Sequence, residues 1–402
     1  MPSVAAQAVE RIVEVRIHGN HTTPDADVLA IAGLVAGGGA SETELAGARE
    51  RLDASGRFSG VDVLRRFASI ADPTQILVIV VVDELPGAAP DVVGTPGPMR
   101  RMRAASMWSP VLGYADGYGF TYGARMAFID PLGPRSRISV PLTWGGERRA
   151  GVEFERRFTR GPLTTVRVDG SLTRRVNPHY QVSDRRLELR ARGERALTSW
   201  LRAGGGGRTA RVDDGDERDR HTAIGADIAI DTRIDPSFPR NAAYAAFGIE
   251  RLSARALPRA AMVARTDLRG YVGVGGSMVV ALRAEAQTAN RALPRLEQPL
   301  LGGGRTLRGY RAGFRAGDNM AVASAELRLP LNSPLNTGRF GLQAFVDAGT
   351  TWNAGERLRG RRFDRGAGGG IYFGGGPIIG DLAIAWPEHG KPRVHFGLGV
   401  TF

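Results

Sequence analysis

From about Arg103 to the final Phe402 the sequence is a succession of short segments in which apolar and polar residues alternate, separated by turn residues. Ile138, Val140, Leu142 and Trp144 are interleaved with Arg137, Ser139, Pro141 and Thr143. Leu187, Leu189 and Ala191 alternate with Arg186, Glu188 and Arg190, and Met278, Val280 and Leu282 stand among Ser277, Ala281, Arg283 and Glu285. A period of two puts one set of residues on each face of a strand. Nearly every such segment carries Arg or Glu on its polar face, and no helical pattern in this stretch offers cover for the apolar one. A soluble sandwich turns its polar face to water. A sheet closed in lipid does the reverse, with apolar residues outward, charged residues facing a wet lumen and no unpaired edge left in hydrocarbon. Counting segments predicts an all-β transmembrane barrel of about sixteen antiparallel strands over residues 103–402, an even number as bacterial barrels require.

Composition agrees with this once hydropathy is set in context. The chain has 402 residues, room for one small domain and one large one. Its longest apolar run, Ile76 to Val82, is strand-sized, far short of the roughly 18 residues of a membrane helix. Hydropathy alone therefore reports a soluble chain, but alternating strands average out in such a scan. The 55 glycines suit a twisted, closed sheet. With no cysteine, disulfides, zinc-thiolate sites and cysteine nucleophiles are excluded. Net charge is +13, and Lys391 is the only lysine among 54 basic residues. The charges are spread along strands, with no basic helix and no arginine cluster interleaved with aromatics. That spread argues against nucleic acid and for a polar lumen or anionic lipid headgroups.

The first hundred residues read differently. Residues 1–8 are an N-terminal remnant or linker, in which Ala6-Gln7-Ala8 has the form of a signal cleavage site without the apolar segment that precedes one. Residues 9–85 follow a β-α-α-β-β order. Arg11 to His18 alternates as a strand and Gly19-Asn20 turns the chain. Thr23-Pro24 opens a short helix with Pro at its first position. Ser41-Glu42-Thr43-Glu44 begins a second with a capping box, and Leu45, Ala48 and Leu52 share one of its faces. Strands follow at Val61 to Phe67 and Ile76 to Val82. The Pro- and Gly-rich stretch 86–102 is a linker.

Within the barrel, Pro131-Leu132-Gly133-Pro134, Arg160-Gly161-Pro162 and Gly374-Gly375-Gly376-Pro377 are tight turns, assigned to the periplasmic side. Asp213 to Arg220 and Asn353 to Arg362 are charged loops assigned to the outer side, and the longest loop runs from about Asn290 to Gly317. In the last strand Val394, Phe396, Leu398, Val400 and Phe402 form an apolar face, and His395, Gly397, Gly399 and Thr401 the other.

Several segments carry a family resemblance. Leu301-Gly302-Gly303-Gly304-Arg305-Thr306-Leu307-Arg308-Gly309-Tyr310 resembles the V/L-R-G-F/Y loop of the BamA/TamA-type outer-membrane assembly and translocation superfamily, which pairs POTRA domains with a bacterial surface antigen barrel. Gly317-Asp318-Asn319 through Leu327 resembles the strand that follows, and Phe345-Val346-Asp347-Ala348-Gly349 the F-x-D-x-G motif. Asp231-Thr232-Arg233 resembles the D-T-R turn, but has Ile234 where an acid is common and Asn241 where glycine often sits. The first domain, with Ile17-His18-Gly19-Asn20 and Gly56-Arg57-Phe58-Ser59, is similar to a POTRA domain. The resemblance implies that the loop folds into the lumen, where Arg308 meets Asp347 and Glu326, Gly309 lets the tip turn and Tyr310 wedges against the wall. Alternation independently turns Glu326 and Asp347 to the lumen side. In the last strand, the resemblance makes His395, Gly397, Val400 and Phe402 the targeting signal and closing seam.

Other signals carry no chemistry. The glycine run Gly302 to Gly309 lacks the Gly-Lys-Ser/Thr ending of a phosphate loop. Asp213 to Glu217 lacks the spacing of a calcium loop. The six histidines form no ligand pattern, and no Gly-x-Ser-x-Gly or nucleophile-base arrangement is found. No catalytic residue, metal or cofactor is expected, so the chain reads as no enzyme. The resemblance implies an insertase or translocator in the bacterial outer membrane, with the POTRA domain in the periplasm. Its edge would take up unfolded outer-membrane or secreted client proteins by β-augmentation. Outer-membrane lipid and lipopolysaccharide are the other expected partners. Two alternatives stand beside this: the membrane half of a secreted patatin-like enzyme, and a simple diffusion pore.

Overall fold

The computed structural model describes residues 10–400 apart from 69–71, 73, 89–96, 98–103, 105, 134, 216, 332–337 and 376–377. The remnant 1–8, most of the linker, Pro134, Asp216, Gly376-Pro377, Thr401 and Phe402 lie outside the described residues. The chain divides into two compact units, Met1–Met107 and Trp108–Phe402.

In the first unit the elements are β1 (Arg11–His18), α1 (Asp25–Ala32), α2 (Glu42–Ala54), β2 (Phe58–Phe67) and β3 (Gln75–Glu84). The sheet order is β1-β3-β2, with β1 parallel and β2 antiparallel to β3. The apolar run around Ile76 becomes the central strand, and Ile76, Val78, Val80 and Val82 are buried with Val28, Leu45, Ala48 and Leu52 of the helices. This is a small α+β, POTRA-like domain. The Ser41 hydroxyl accepts from the Glu44 amide, and the Glu44 carboxylate accepts from the Ser41 amide, which completes the capping box. Two details differ from the sequence reading. Pro24 is the N-cap of α1, with the helix starting at Asp25. Strand β2 starts at Phe58 rather than Val61, because Phe58 is buried in the core and pairs with Glu84.

Glu84 ties the turn before α1 to the end of the sheet. Its carboxylate accepts from the amides of His21, Thr22 and Thr23 at 2.8, 2.7 and 2.8 Å, and from the Thr23 hydroxyl. Burial alone would raise its pKa, but these donors outweigh burial and hold it below the usual carboxylate value.

The second unit is a closed barrel of 16 strands. They are β4 (Ser106–Ala115), β5 (Gly119–Ile129), β6 (Ser136–Gly145), β7 (Arg148–Arg157), β8 (Thr165–Val176), β9 (Ser183–Ala196), β10 (Leu201–Asp213), β11 (Arg218–Asp231), β12 (Ala242–Ala254), β13 (Ala261–Val274), β14 (Met278–Ala289), β17 (Asn319–Leu331), β18 (Gly338–Trp352), β19 (Asp364–Gly375), β20 (Ile378–Pro387) and β21 (Arg393–Val400). Two short strands, β15 (Leu300–Leu301) and β16 (Arg315–Ala316), pair inside the long loop between β14 and β17. The outer wall shows Leu142, Leu172, Leu189, Ile224, Leu282, Val346 and Val394 to the surroundings. The alternate positions turn to the lumen and include the charged residues Glu188, Arg190, Arg283 and Asp347. Lipid on one side and water on the other account for this inversion of the usual core.

One rim, here the entry rim, holds the start of β4, the end of β21 and the turns at Gly133 and Gly161, both with positive φ. The far rim holds the long loop 290–318 and the loops 214–217 and 353–363. The charged loop expected from Asp213 to Arg220 shrinks to a short turn, because the ladder continues to Asp213 opposite Arg218. At the D-T-R turn, Asn241 takes a left-handed φ of 48°, a conformation asparagine tolerates in place of glycine. Asp231 there holds Arg233 at 2.9 Å.

Candidate functional site

The long loop 290–318 enters the barrel, and its tip is held by Arg308. The Arg308 guanidinium donates from Nε and Nη2 to the two oxygens of Asp347, each at 2.8 Å, and from Nη1 to Glu326 at 2.7 Å. The Arg308 amide adds a bond to Asp347 at 3.0 Å, and Ser324 accepts from Nη2 at 3.1 Å. Glu326 lies on β17 and Asp347 on β18. Alternation turns both inward, between Ala325 and Leu327 and between Val346 and Ala348. The side chains of Arg308, Glu326 and Asp347 are 11%, 10% and 2% exposed, so water competes little for these bonds. A planar fork serves two carboxylates at once, which a point-charge ammonium cannot do as well. The guanidinium also lies 3.3 Å from the ring centroid of Phe345, one face of the cation covered by an aromatic.

The rest of the tip is shaped by close approach. Gly309 has φ +95°, and a Cβ there would fall 2.9 Å from the Pro387 nitrogen. Gly366 on β19 faces the Arg308 carbonyl oxygen so closely that a Cβ would sit 2.0 Å from it. The Tyr310 hydroxyl donates to the Arg365 carbonyl at 3.1 Å, and its ring packs on Phe314. The Gly309 amide donates to Nε2 of His395 at 2.8 Å, and Nδ1 of His395 lies 2.7 Å from the Asp116 carboxylate. An accepting Nε2 and a donating Nδ1 are what a neutral imidazole offers. His395 thus links the loop tip to the last strand and to the turn after β4. Its partner had no signal in the sequence, since Asp116 is 279 positions away.

A second anchor, also without a sequence signal, holds the loop base. Glu297 sits in a short 3-10 turn and accepts from Arg186 at 3.0 Å, Arg208 at 2.8 Å and His221 at 2.9 Å. These come from β9, β10 and β11, and Glu297 is 7% exposed. Leu296 beside it packs on Ala210 and Val212. Asp318 accepts from the amides of Leu293 and Ala354, and Asn319 from that of Ala289, which fastens the loop's two ends. The loop therefore spans the lumen between one anchor on β9–β11 and another on β17–β19.

The closing seam between β21 and β4 is short. Among the described residues its one registered pair is Leu398 with Tyr114, whereas β20 and β21 stay in register from Arg393 to Val400. Pro110 lies in the middle of β4 and withholds an amide, as proline does in edge strands. Gly397 leaves room for Asp381, whose carboxylate oxygen would be 2.3 Å from a Cβ. The backbone of Val400 ends the described strand, and Phe402 is outside it. Among the described residues no group of three or more His, Asp or Glu is placed to hold a metal ion. The arrangement holds the loop inside the barrel and leaves the seam sparsely paired.

Residues 120–402 match the Omp85 superfamily domain. BamA from Haemophilus ducreyi lacking POTRA domains 1-3 has a similar structure, with a TM-score of 0.62 and 16% identity, covering 97% of this chain and 84% of that one. CdiB from Acinetobacter baumannii aligns with a TM-score of 0.53 and 14% identity, over 98% of this chain and 74% of that one. CdiB from Escherichia coli aligns with a TM-score of 0.55 and 12% identity, over 100% of this chain and 93% of that one. At these identities the likeness is one of fold. No curated protein sequence matches the chain. The family match spans well over half of the chain, all of it within the barrel that carries the Arg308 loop: the chain is an outer-membrane β-barrel of the Omp85 superfamily.

Proposed function

We propose that this protein is an insertase or translocator that passes unfolded outer-membrane or secreted polypeptides into or across the membrane through the seam between β21 and β4. The observation that carries this reading is the seam itself, with its one registered pair among the described residues. A strand that pairs along its length with β20 and at one position with β4 separates from β4 first. On this reading residues 9–85 are a periplasmic POTRA domain, 86–102 its linker and 103–402 the barrel. Arg308, Gly309, Tyr310, Glu326 and Asp347 form a lock on the loop, and the stretch from His395 to Phe402 combines targeting and gating.

The first domain offers a place for a client strand. The outer edge of β1 is partly taken, since Ile12 bonds to Gly38 and Gly37. Strand β2 pairs with β3 alone among the described residues, so its other edge has free backbone groups. An extended polypeptide can add there by β-augmentation. A diffusion pore is the weaker reading, because the anchored loop occupies the lumen.

The test is photo-crosslinking in living cells from Leu64 on β2, with Glu14 on β1 as control. Unfolded outer-membrane or secreted proteins trapped at Leu64 and not at Glu14 support the reading. An empty β2 edge during active export sinks it.

A further inference from the structure

The outer wall from β7 to β11 carries a strip in which, among the described residues, arginines outnumber the carboxylates beside them. Parity decides which way each residue points. Arg149, Arg175 and Arg186 face the lumen, where they pair with Glu153, Asp184 and Glu297. Their chain neighbours Arg148, Arg174 and Arg185 therefore face outward, and all three are exposed. The ladder makes them a row: Arg148 stands opposite Arg174, and Arg174 opposite Arg185. Side chains so placed have Cβ atoms about 4.5–5.5 Å apart, where like charges are destabilising.

Beside this row Arg211 stands opposite Arg220. Both point outward, because Val212 packs on Leu296 and His221 bonds to Glu297 within the lumen. None of these five arginines is in ion-pair contact with a carboxylate among the described residues. Asp213, opposite Arg185 in the ladder, is the one acid of the strip among the described residues, and Arg218, which it holds at 3.0 Å, competes with Arg185 for its charge. Immediately towards the middle of the wall the surface turns apolar: Leu172 and Leu187 are registered opposite each other with Leu142 alongside, and Trp144 stands level with Arg148 at the end of the row. Arginines and apolar residues line one shallow concavity. The row lies at the far rim, near the turn 214–217.

We propose that this strip binds a phosphorylated glycolipid of the outer leaflet, with its phosphates on Arg148, Arg174 and Arg185 and its acyl chains along Leu172, Leu187 and Trp144. Guanidinium groups bind phosphate oxygens in bidentate fashion, and the low-dielectric surroundings strengthen such bonds. An anion in the row also removes the repulsion among three adjacent cations. The apolar floor beside it selects an amphiphile over a free anion. The outer-leaflet source rests on the proposed orientation, in which the entry rim faces the periplasm.

The test uses the full-length protein in non-ionic detergent, with lipid binding read by native mass spectrometry. The probes are phosphorylated lipid A, dephosphorylated lipid A and inorganic phosphate. The triple variant Arg148→Gln, Arg174→Gln, Arg185→Gln should bind phosphorylated lipid A roughly tenfold more weakly or worse, since several charge-assisted bonds are lost. Arg160→Gln at the entry rim and Arg359→Gln in the 353–363 loop should bind as the parent does. Heat-modifiable mobility checks that the triple variant is folded, and its lipid-free melting temperature should not fall, because a repulsive row has been removed. Unchanged lipid affinity in the triple variant overturns the site. Equal binding of dephosphorylated lipid A overturns the phosphate contact. Displacement of the lipid by inorganic phosphate makes this a small-anion site and overturns the glycolipid. A separate arm tests the orientation: Gly215→Cys, in a chain with no other cysteine, should react with an impermeant maleimide on intact cells. Failure of that labelling removes the outer-leaflet source but leaves the detergent result standing.

Discussion

Arg308 has bonds to three side chains and an aromatic cover, and each answers a different physical need. The two carboxylates neutralise the charge, Ser324 completes the fork, and Phe345 shields its face. Removing Arg308 takes the ion-pair partner from Asp347, while Glu326 keeps Arg328 at 2.7 Å; breaking one side of such a buried pair costs about 3–5 kcal/mol. Arg308→Ala should therefore free the loop tip, seen as new protease cleavage within 290–318 and a less heat-resistant barrel. Arg308→Lys should rescue only partly, because one ammonium cannot reach both acids in bidentate geometry. Arg311→Ala should matter less, since Arg311 has one bond to the Pro178 carbonyl. Wild-type protection in Arg308→Ala would remove the lock. Arg308, Glu326 and Asp347 were legible in the sequence because motif and parity converge on them. His395 was legible only as a residue of the last strand. Its bonds to Gly309 and Asp116, and the cage around Glu297, depend on which strands closure brings together.

At the scale of elements, small local choices decide whether one segment can approach another. Strand β19 admits the loop tip because Gly366 has no side chain where the Arg308 carbonyl passes. Gly366→Ala should displace the tip and weaken its docking by about 1–3 kcal/mol, the usual cost of overfilling a packed site. Proteolysis of the loop, compared with Arg308→Ala, measures this, and an undisturbed loop would refute the close approach. In the first domain Glu84 closes the β1–α1 turn with a pKa held below its ordinary value. A depressed carboxylate contributes stability above its unfolded-state pKa, about 4.3, and loses it as pH falls through the lower folded value. The domain should hold its full contribution at neutral pH and weaken in acid. Glu84→Gln should be less stable at pH 7 and show a flatter acid limb in urea unfolding monitored by circular dichroism. An identical acid limb in the variant would show that Glu84 plays no part in it.

At the scale of the whole molecule, the last strand is held by a long ladder to β20 and by one registered pair to β4 among the described residues. The variant Tyr114→Cys with Leu398→Cys places two thiols on the registered pair, at a separation suited to a disulfide. Oxidised, it should block client handling in cells, and a reductant should restore it. Full activity with the seam locked would show that the barrel does not act by opening there. What the sequence determined by itself follows from period and chemistry. Alternation with charges on one face required a sheet closed in lipid, apolar runs and caps specified the first domain's elements, and the segment count reached the observed sixteen strands. Only tertiary structure decided what distant faces meet. The depth to which Gly366 lets the loop sink, the Glu297 cage drawn from three strands, the His395 bridge and the outward arginine row all depend on register and closure. A period of two tells each residue its face, but not which residue stands opposite it one strand away or across the lumen.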